Sequence, residues 1–147
     1  MDIERAKHWF IETALSYLGT PYVWGGDDPS GFDCSGFVNE CLKTVGLIAE
    51  REDFTAAGIV ERFRSDVLQE PERAALACWL NAAGAVHHVG ICLDKYFCIA
   101  ASGGSAVTVD SAAAWRQNAY VRIRPIRYRP ERVTILDPFK RLRDGSG

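Results

Sequence analysis

The hydrophobic period of the chain changes once, near its middle, and that change limits the possible architectures more than any other feature. Up to about residue 67, apolar residues recur at steps of three and four. Ile3, Ala6, Phe10, Thr13, Ala14, Tyr17 and Leu18 mark a first helix. Gly19 stops it and Pro21 fixes the exit. Cys34, Phe37, Val38, Cys41, Leu42 and Val45 form a second stripe. Asp33 stands where an N-cap belongs and Gly46 where a C-terminal stop belongs. A third helix is expected from about Thr55 to Val67. Beyond it, the short runs 75–80, 86–93, 96–101, 106–109 and 119–126 read as strands, with a hairpin turn at Asp94-Lys95. Helices first and strands afterwards predict an α+β fold, with N-terminal helices packed on a C-terminal antiparallel sheet.

A chain of 147 residues suits one domain, expected to cover 1–147. The stretch from about residue 130 carries no clear assignment, and Gly145-Ser-Gly is expected to be disordered. The formal net charge of −2 gives no footprint for nucleic acid or an anionic membrane. Basic residues do gather between Arg122 and Arg143, but Glu131, Asp137 and Asp144 are interspersed, and the cluster reads as a solvated edge. Neither a nucleic-acid partner nor a membrane is therefore expected. No apolar run reaches the length of about 18 residues that crosses a bilayer. Met1 to Tyr17 lacks the basic start, apolar stretch and cleavage site of a signal peptide. The expectation is a chain that is cytoplasmic as synthesised, and that is either used there or reaches the exterior by another route, by lysis or inside a larger particle such as a phage tail.

The five cysteines, Cys34, Cys41, Cys78, Cys92 and Cys98, are odd in number and irregular in spacing, with no CxxC pair. A zinc site is not expected. Four lie in apolar stretches as small core residues. Cys34 differs, because it opens the second helix, where unpaired N–H groups and the helix dipole favour an anion. A thiolate there is expected to have a lowered pKa and to be reactive. The preceding loop, 22–32, is rich in Gly, Asp, Pro and Ser, and Gly25, Gly26 and Gly31 let backbone and substrate approach closely. By helix position alone, Cys34 fits equally well as the first core residue of the helix.

A cysteine nucleophile needs a base. Among three histidines, His8 lies off the apolar stripe of the first helix and reads as a surface residue. His87 and His88 are neighbours in one strand and point to opposite faces. His88 shares its face with the small residues Gly90 and Cys92, which favours that face as the one under the second helix. A hydrogen-bonded structural histidine is the competing reading. The neighbouring strand should orient the base, yet it offers only Cys98, Ile99, Ala100 and Ala101. Ser102 and Asn81 are the remaining candidates.

The stretch from Leu18 through Thr20-Pro21-Tyr22-Val23-Trp24-Gly25-Gly26, followed by Gly31-Phe32-Asp33-Cys34-Ser35-Gly36-Phe37-Val38, resembles the signature of the NlpC family. His88-Val89-Gly90-Ile91 resembles its second signature. The resemblance spans about residues 10 to 110. Members are bacterial cysteine endopeptidases with a rearranged papain-like fold that cut peptidoglycan stem peptides, often between D-glutamate and diaminopimelate. The resemblance implies that Cys34 is the nucleophile, His88 the base and Tyr22 a hydroxyl on the oxyanion side. It implies that Asp33 and Ser35 hold the free amino end of a short peptide, or that Asp33 caps the helix. Trp24 walls the cleft or packs the loop. The family's third, polar position falls on Ala100, a departure from the pattern. The implied activity is acyl transfer through a thiol, with no cofactor and no metal, and with peptidoglycan-derived peptides as partners. The alternatives are a catalytically weak or inactive binding module that keeps the fold, and an amidase or acyltransferase of the same superfamily.

Overall fold

The computed structural model describes residues 2–28 and 31–143. The residues Gly145-Ser-Gly therefore lie outside the described part. The chain runs α1 (Ile3–Ser16), β1 (Asp27–Asp28), β2 (Gly31–Phe32), α2 (Cys34–Thr44), α3 (Ala56–Phe63), β3 (Val67–Leu68), β4 (Leu76–Leu80), β5 (Val86–Cys92), β6 (Phe97–Ser102), α4 (Ser111–Gln117), β7 (Tyr120–Pro125), β8 (Arg132–Leu136) and α5 (Lys140–Arg143). A 3-10 turn, Ile126–Tyr128, joins β7 to the segment before β8. Six strands form one antiparallel sheet in the order β3-β8-β4-β5-β6-β7. The α+β class and the order of helices before sheet are as the periodicity predicts.

Alternation along the strands divides the sheet into two faces. Leu76, Cys78, Val89, Ile91, Ile99, Ala101 and Val121 join the main core with Phe10, Phe37, Val38, Cys41 and Leu42 from the helices. Ala75, Ala77, Trp79, Cys92, Cys98, Ile126 and Ile135 form a second cluster on the other face. Helix α2 therefore packs over Val89 and Ile91. The expectation that the Gly90–Cys92 face lies under this helix is reversed. Branched side chains fill the space between helix and sheet, and the small residues make room on the far face for Trp79.

Several other expectations are corrected. The third helix ends at Phe63 rather than near residue 67, because Val67–Leu68 leaves to pair with β8. Residues 106–109 form no strand. Thr108 is buried while Val107 and Val109 are exposed, and the Thr108 backbone N–H donates to the Ser105 carbonyl at 2.9 Å in a turn. Helix α4 was not foreseen. Asp110 caps it by accepting from the Ala113 N–H at 2.8 Å, and Asn118, left-handed at φ 55°, closes it. The stretch beyond residue 130 supplies β8, an interior strand between β3 and β4. Nor is the basic stretch simply a solvated edge, since the Arg124 guanidinium lies 4.8 Å from the centroid of the Tyr128 ring. Among the described residues, no helix is long and apolar enough to cross a membrane.

Candidate active site

The site begins with the entry to α2. Asp33 has extended backbone angles, and its Oδ1 accepts from the Gly36 N–H at 2.7 Å and from the Ser35 hydroxyl at 3.2 Å. Its Oδ2 accepts from the Gly25 N–H at 3.1 Å. One carboxylate thus caps the helix and pins the glycine loop to it. The loop lies so close that a Cβ on Gly36 would fall 2.0 Å from the Gly26 carbonyl oxygen, so only glycine fits in this first turn. Ser35 is committed to Asp33 in this arrangement.

Cys34 follows the cap, and it alone of the five free cysteines is not fully buried. Its thiol faces the backbone N–H groups of Val89, Ser35 and Cys34 itself, all of which favour a thiolate. Burial works against them and is the larger effect, with a smaller push from the Asp33 charge, so the thiol pKa is raised. The lowered pKa expected from helix position is overturned, because the helix N-terminus is set into the protein rather than presented to water.

The Val89 contact follows from the sheet. The Cys92 N–H donates to Ala75 on the β4 side and the Leu93 N–H to Phe97 on the β6 side. Alternation then turns the Val89 N–H towards β6. The pairing of β5 with β6 covers only Ile91↔Ile99 and Cys92↔Cys98, so this amide lies beyond the ladder and is free to meet sulfur. The carbonyl carbon bonded to that amide nitrogen belongs to His88, whose Cα is therefore two bonds from it. The thiol thus reaches the main chain next to His88 at the opening between β5 and β6, while the imidazole lies on the sheet face away from α2 with Trp79 and Tyr128, not across the expected helix–sheet seam.

His88 is almost fully buried and projects towards the second cluster. Its ring centroid lies 5.0 Å from that of Trp79, its partner across β4 and β5. Nε2 is 3.0 Å from the Tyr128 hydroxyl. Burial, then the Arg129 charge and then His87, lower the His88 pKa to about 3, opposed by Glu131. The imidazole is neutral at ordinary pH. Next to it, a bulge between β4 and β5 at Leu80 displaces His87, whose Nε2 lies 2.6 Å from Glu131.

Tyr22 is buried beside the thiol. Burial first, then the charges of Cys34 and Asp33, raise its pKa well above the usual phenol range. It stays protonated and can donate a hydrogen bond. Trp24 is exposed, and its backbone N–H donates to the Thr108 carbonyl at 2.7 Å, which ties the loop to the turn before α4. Ala100 is buried on the His88 face beside Gly90. Asn81 is spent on its own turn, where Oδ1 accepts from Ala83 and Ala85 at 3.0 Å each. Ser102 is buried with no hydrogen bond of normal length, but close enough to Tyr128 to favour its phenolate. Tyr128 is the residue that strand-by-strand reasoning missed. It comes from the turn after β7, and only its place among aromatic and basic neighbours set it apart in the sequence. Among the described residues, no three His, Cys, Asp or Glu side chains gather into a metal site.

The NlpC/P60 family model matches residues 19–124. The chain is 35% identical over 104 residues to dipeptidyl-peptidase 6 of Lysinibacillus sphaericus, covering 69% of this chain and 35% of that protein. It is 35% identical over 81 residues to the gamma-D-glutamyl-L-lysine dipeptidyl-peptidase of Bacillus subtilis (strain 168), covering 55% of this chain and 27% of that one. The chain thus spans about a third or less of the length of these relatives. Among solved structures, the peptidoglycan hydrolase RipB of Mycobacterium tuberculosis superposes with a TM-score of 0.68 at 22% identity, over 93% of this chain and 66% of that chain. The NlpC/p60 domain of the peptidoglycan hydrolase SagA gives 0.62 at 22% identity, over 88% and 97%. At these identities the superpositions speak for the fold alone.

Proposed function

The chain belongs to the NlpC/P60 family, and from that premise we propose that it is a cysteine peptidase acting on peptidoglycan stem peptides, at the bond that follows D-glutamate. The observation that carries the reading is the approach of the Cys34 thiol to the Val89 amide, two bonds from His88 Cα. The names of the two dipeptidyl-peptidase relatives support the substrate class.

The raised thiol and the lowered imidazole mean that the resting pair is neutral. On attack, His88 takes the Cys34 proton at Nδ1 as sulfur bonds to the scissile carbonyl carbon. Its other ring nitrogen is held by Tyr128. The carbonyl oxygen gains charge and meets the N–H groups at the start of α2 and the protonated Tyr22 hydroxyl. The imidazolium then gives its proton to the leaving amine, and water releases the acyl group from sulfur. Asp33 and Ser35, beside the nucleophile, anchor the free amino end of the peptide, and Trp24 walls the cleft. In this reading the wall is reached from the cytoplasm after lysis or from a phage-tail-like particle.

Mass spectrometry of defined stem peptides after incubation with the protein tests the reading. Cleavage after D-glutamate that disappears in Cys34→Ala is the expected result. Intact peptides, together with His88-dependent labelling of Cys34 by a thiol probe, would point instead to an amidase or acyltransferase. Intact peptides, together with Cys34 labelling that is unchanged in His88→Ala, would point to a binding module.

A further inference from the structure

We infer that Tyr128 is the positioning residue for His88, a phenol from the β7–β8 connection doing the work that the family pattern gives to a polar side chain at position 100. The inference rests on the peptidase reading and adds a residue to it. Tyr128 reaches the imidazole at Nε2, the ring nitrogen remote from the main chain, at 3.0 Å. That leaves Nδ1, three bonds from Cα, as the ring nitrogen the phenol does not engage and the one nearer the main chain, whose next amide, that of Val89, meets the Cys34 thiol.

The phenol is firmly held. Trp79 donates from Nε1 to the Ile126 carbonyl at 3.2 Å and so anchors the 3-10 turn that carries Tyr128. The Trp79 and Tyr128 rings meet edge to face, with centroids 6.0 Å apart. Two guanidiniums, Arg124 at 4.8 Å and Arg129 at 5.9 Å, flank the Tyr128 ring. Ser102, at the end of β6, has a buried hydroxyl close to the same phenol. Nothing of this kind is available from Ala100.

The proton placement follows. Nε2–H donates to the Tyr128 oxygen, which fixes the tautomer whose bare Nδ1 can accept the thiol proton. When Nδ1 takes that proton, the imidazolium keeps its Nε2–H bond to the phenol and passes the Nδ1 proton to the leaving amine. Tyr128 neither gains nor loses a proton, and it acts by orientation.

Tyr128→Phe keeps the ring and removes the oxygen. We expect kcat to fall about ten- to hundredfold with KM little changed, and Cys34 alkylation near pH 7 to slow in parallel. The imidazole nitrogen-15 spectrum of His88 should change from one tautomer, protonated at Nε2, to a mixture. Tyr128→Gln, which keeps a hydrogen-bonding oxygen, should restore part of the rate and the single tautomer. Unchanged rates and an unchanged tautomer in Tyr128→Phe would overturn the inference, as would an equal loss in the Phe and Gln variants. Should His88→Ala leave Cys34 labelling unaffected, the peptidase reading itself would fail. The tautomer spectra would still decide the role of Tyr128.

Discussion

Trp79 and His88 face each other directly across β4 and β5, and their rings lie 5.0 Å apart. Burial first, then the Arg129 and His87 charges, lower the imidazole pKa to about 3, against an ordinary value of 6.5. Between those limits the unfolded chain binds a proton that the folded chain refuses. Stability from this site is fully present above about 6.5 and is lost as pH falls towards 3, by an amount on the order of several kcal/mol. Urea midpoints measured at pH 7, 5 and 4 should decline across this window. In His88→Gln the decline should flatten. An identical decline in that variant would place the acid sensitivity elsewhere.

The raised Cys34 pKa has a separate consequence, because the thiolate is scarce at rest. Alkylation of Cys34 by a small reagent should keep accelerating as pH rises beyond the ordinary thiol range, with no plateau near neutrality. Cys34→Ser changes little in volume and should keep the thermal midpoint while abolishing turnover. A plateau near pH 7 would show a preformed thiolate–imidazolium pair, and appreciable turnover by the serine variant would exclude Cys34 as the nucleophile.

Asp33 offers a way to separate capping from recognition. Its oxygens cap α2 through Gly36 and hold Gly25. Asp33→Ala should cost about 0.5–2 kcal/mol through the lost cap. Asp33→Asn keeps an acceptor oxygen for Gly36 and removes the charge. If the carboxylate also anchors a free amino end, Asn should raise KM for stem peptides with a free amine but leave acetylated ones unaffected. Equal KM changes for both substrates would confine Asp33 to its structural role.

The parts of the molecule legible in the sequence are those fixed by local rules. The caps at Asp33 and Gly46, the stripe of α2 and the period of β4, β5 and β6 depend on neighbours two to four positions away. The place of Cys34 was legible for the same reason, since a helix start can be read from its cap. The facing of β5 was not, because side-chain size alone does not say which face a helix covers, and Gly90 turned out to make room for Trp79 rather than for α2. Tyr128 was equally hidden, because it reaches His88 across forty positions of sequence. Strand β8 was obscured by its polar residues, Arg132 and Thr134, which broke the apolar pattern of an interior strand.

Ala100 provides the final prediction. Judged from the family pattern, a histidine restored there should leave activity unchanged or raise it. The packing predicts otherwise. A Cβ on Gly90 would lie 3.0 Å from the Ala100 Cβ and 3.5 Å from the Trp79 ring, so the small pair Gly90 and Ala100 sits beneath the indole. Ala100 is itself 2% exposed, and the oxygen that bonds His88 already comes from Tyr128. An imidazole at position 100 has to be fitted against Gly90 in the buried layer that also holds Trp79, the anchor of the Tyr128 turn. Ala100→His should therefore destabilise the protein by about 1–3 kcal/mol, seen as a thermal midpoint lower by several degrees, and should lower kcat as His88 loses its alignment. A variant with an unchanged midpoint and a raised kcat would show that the position is an open third site and that Trp79 yields to it at little cost.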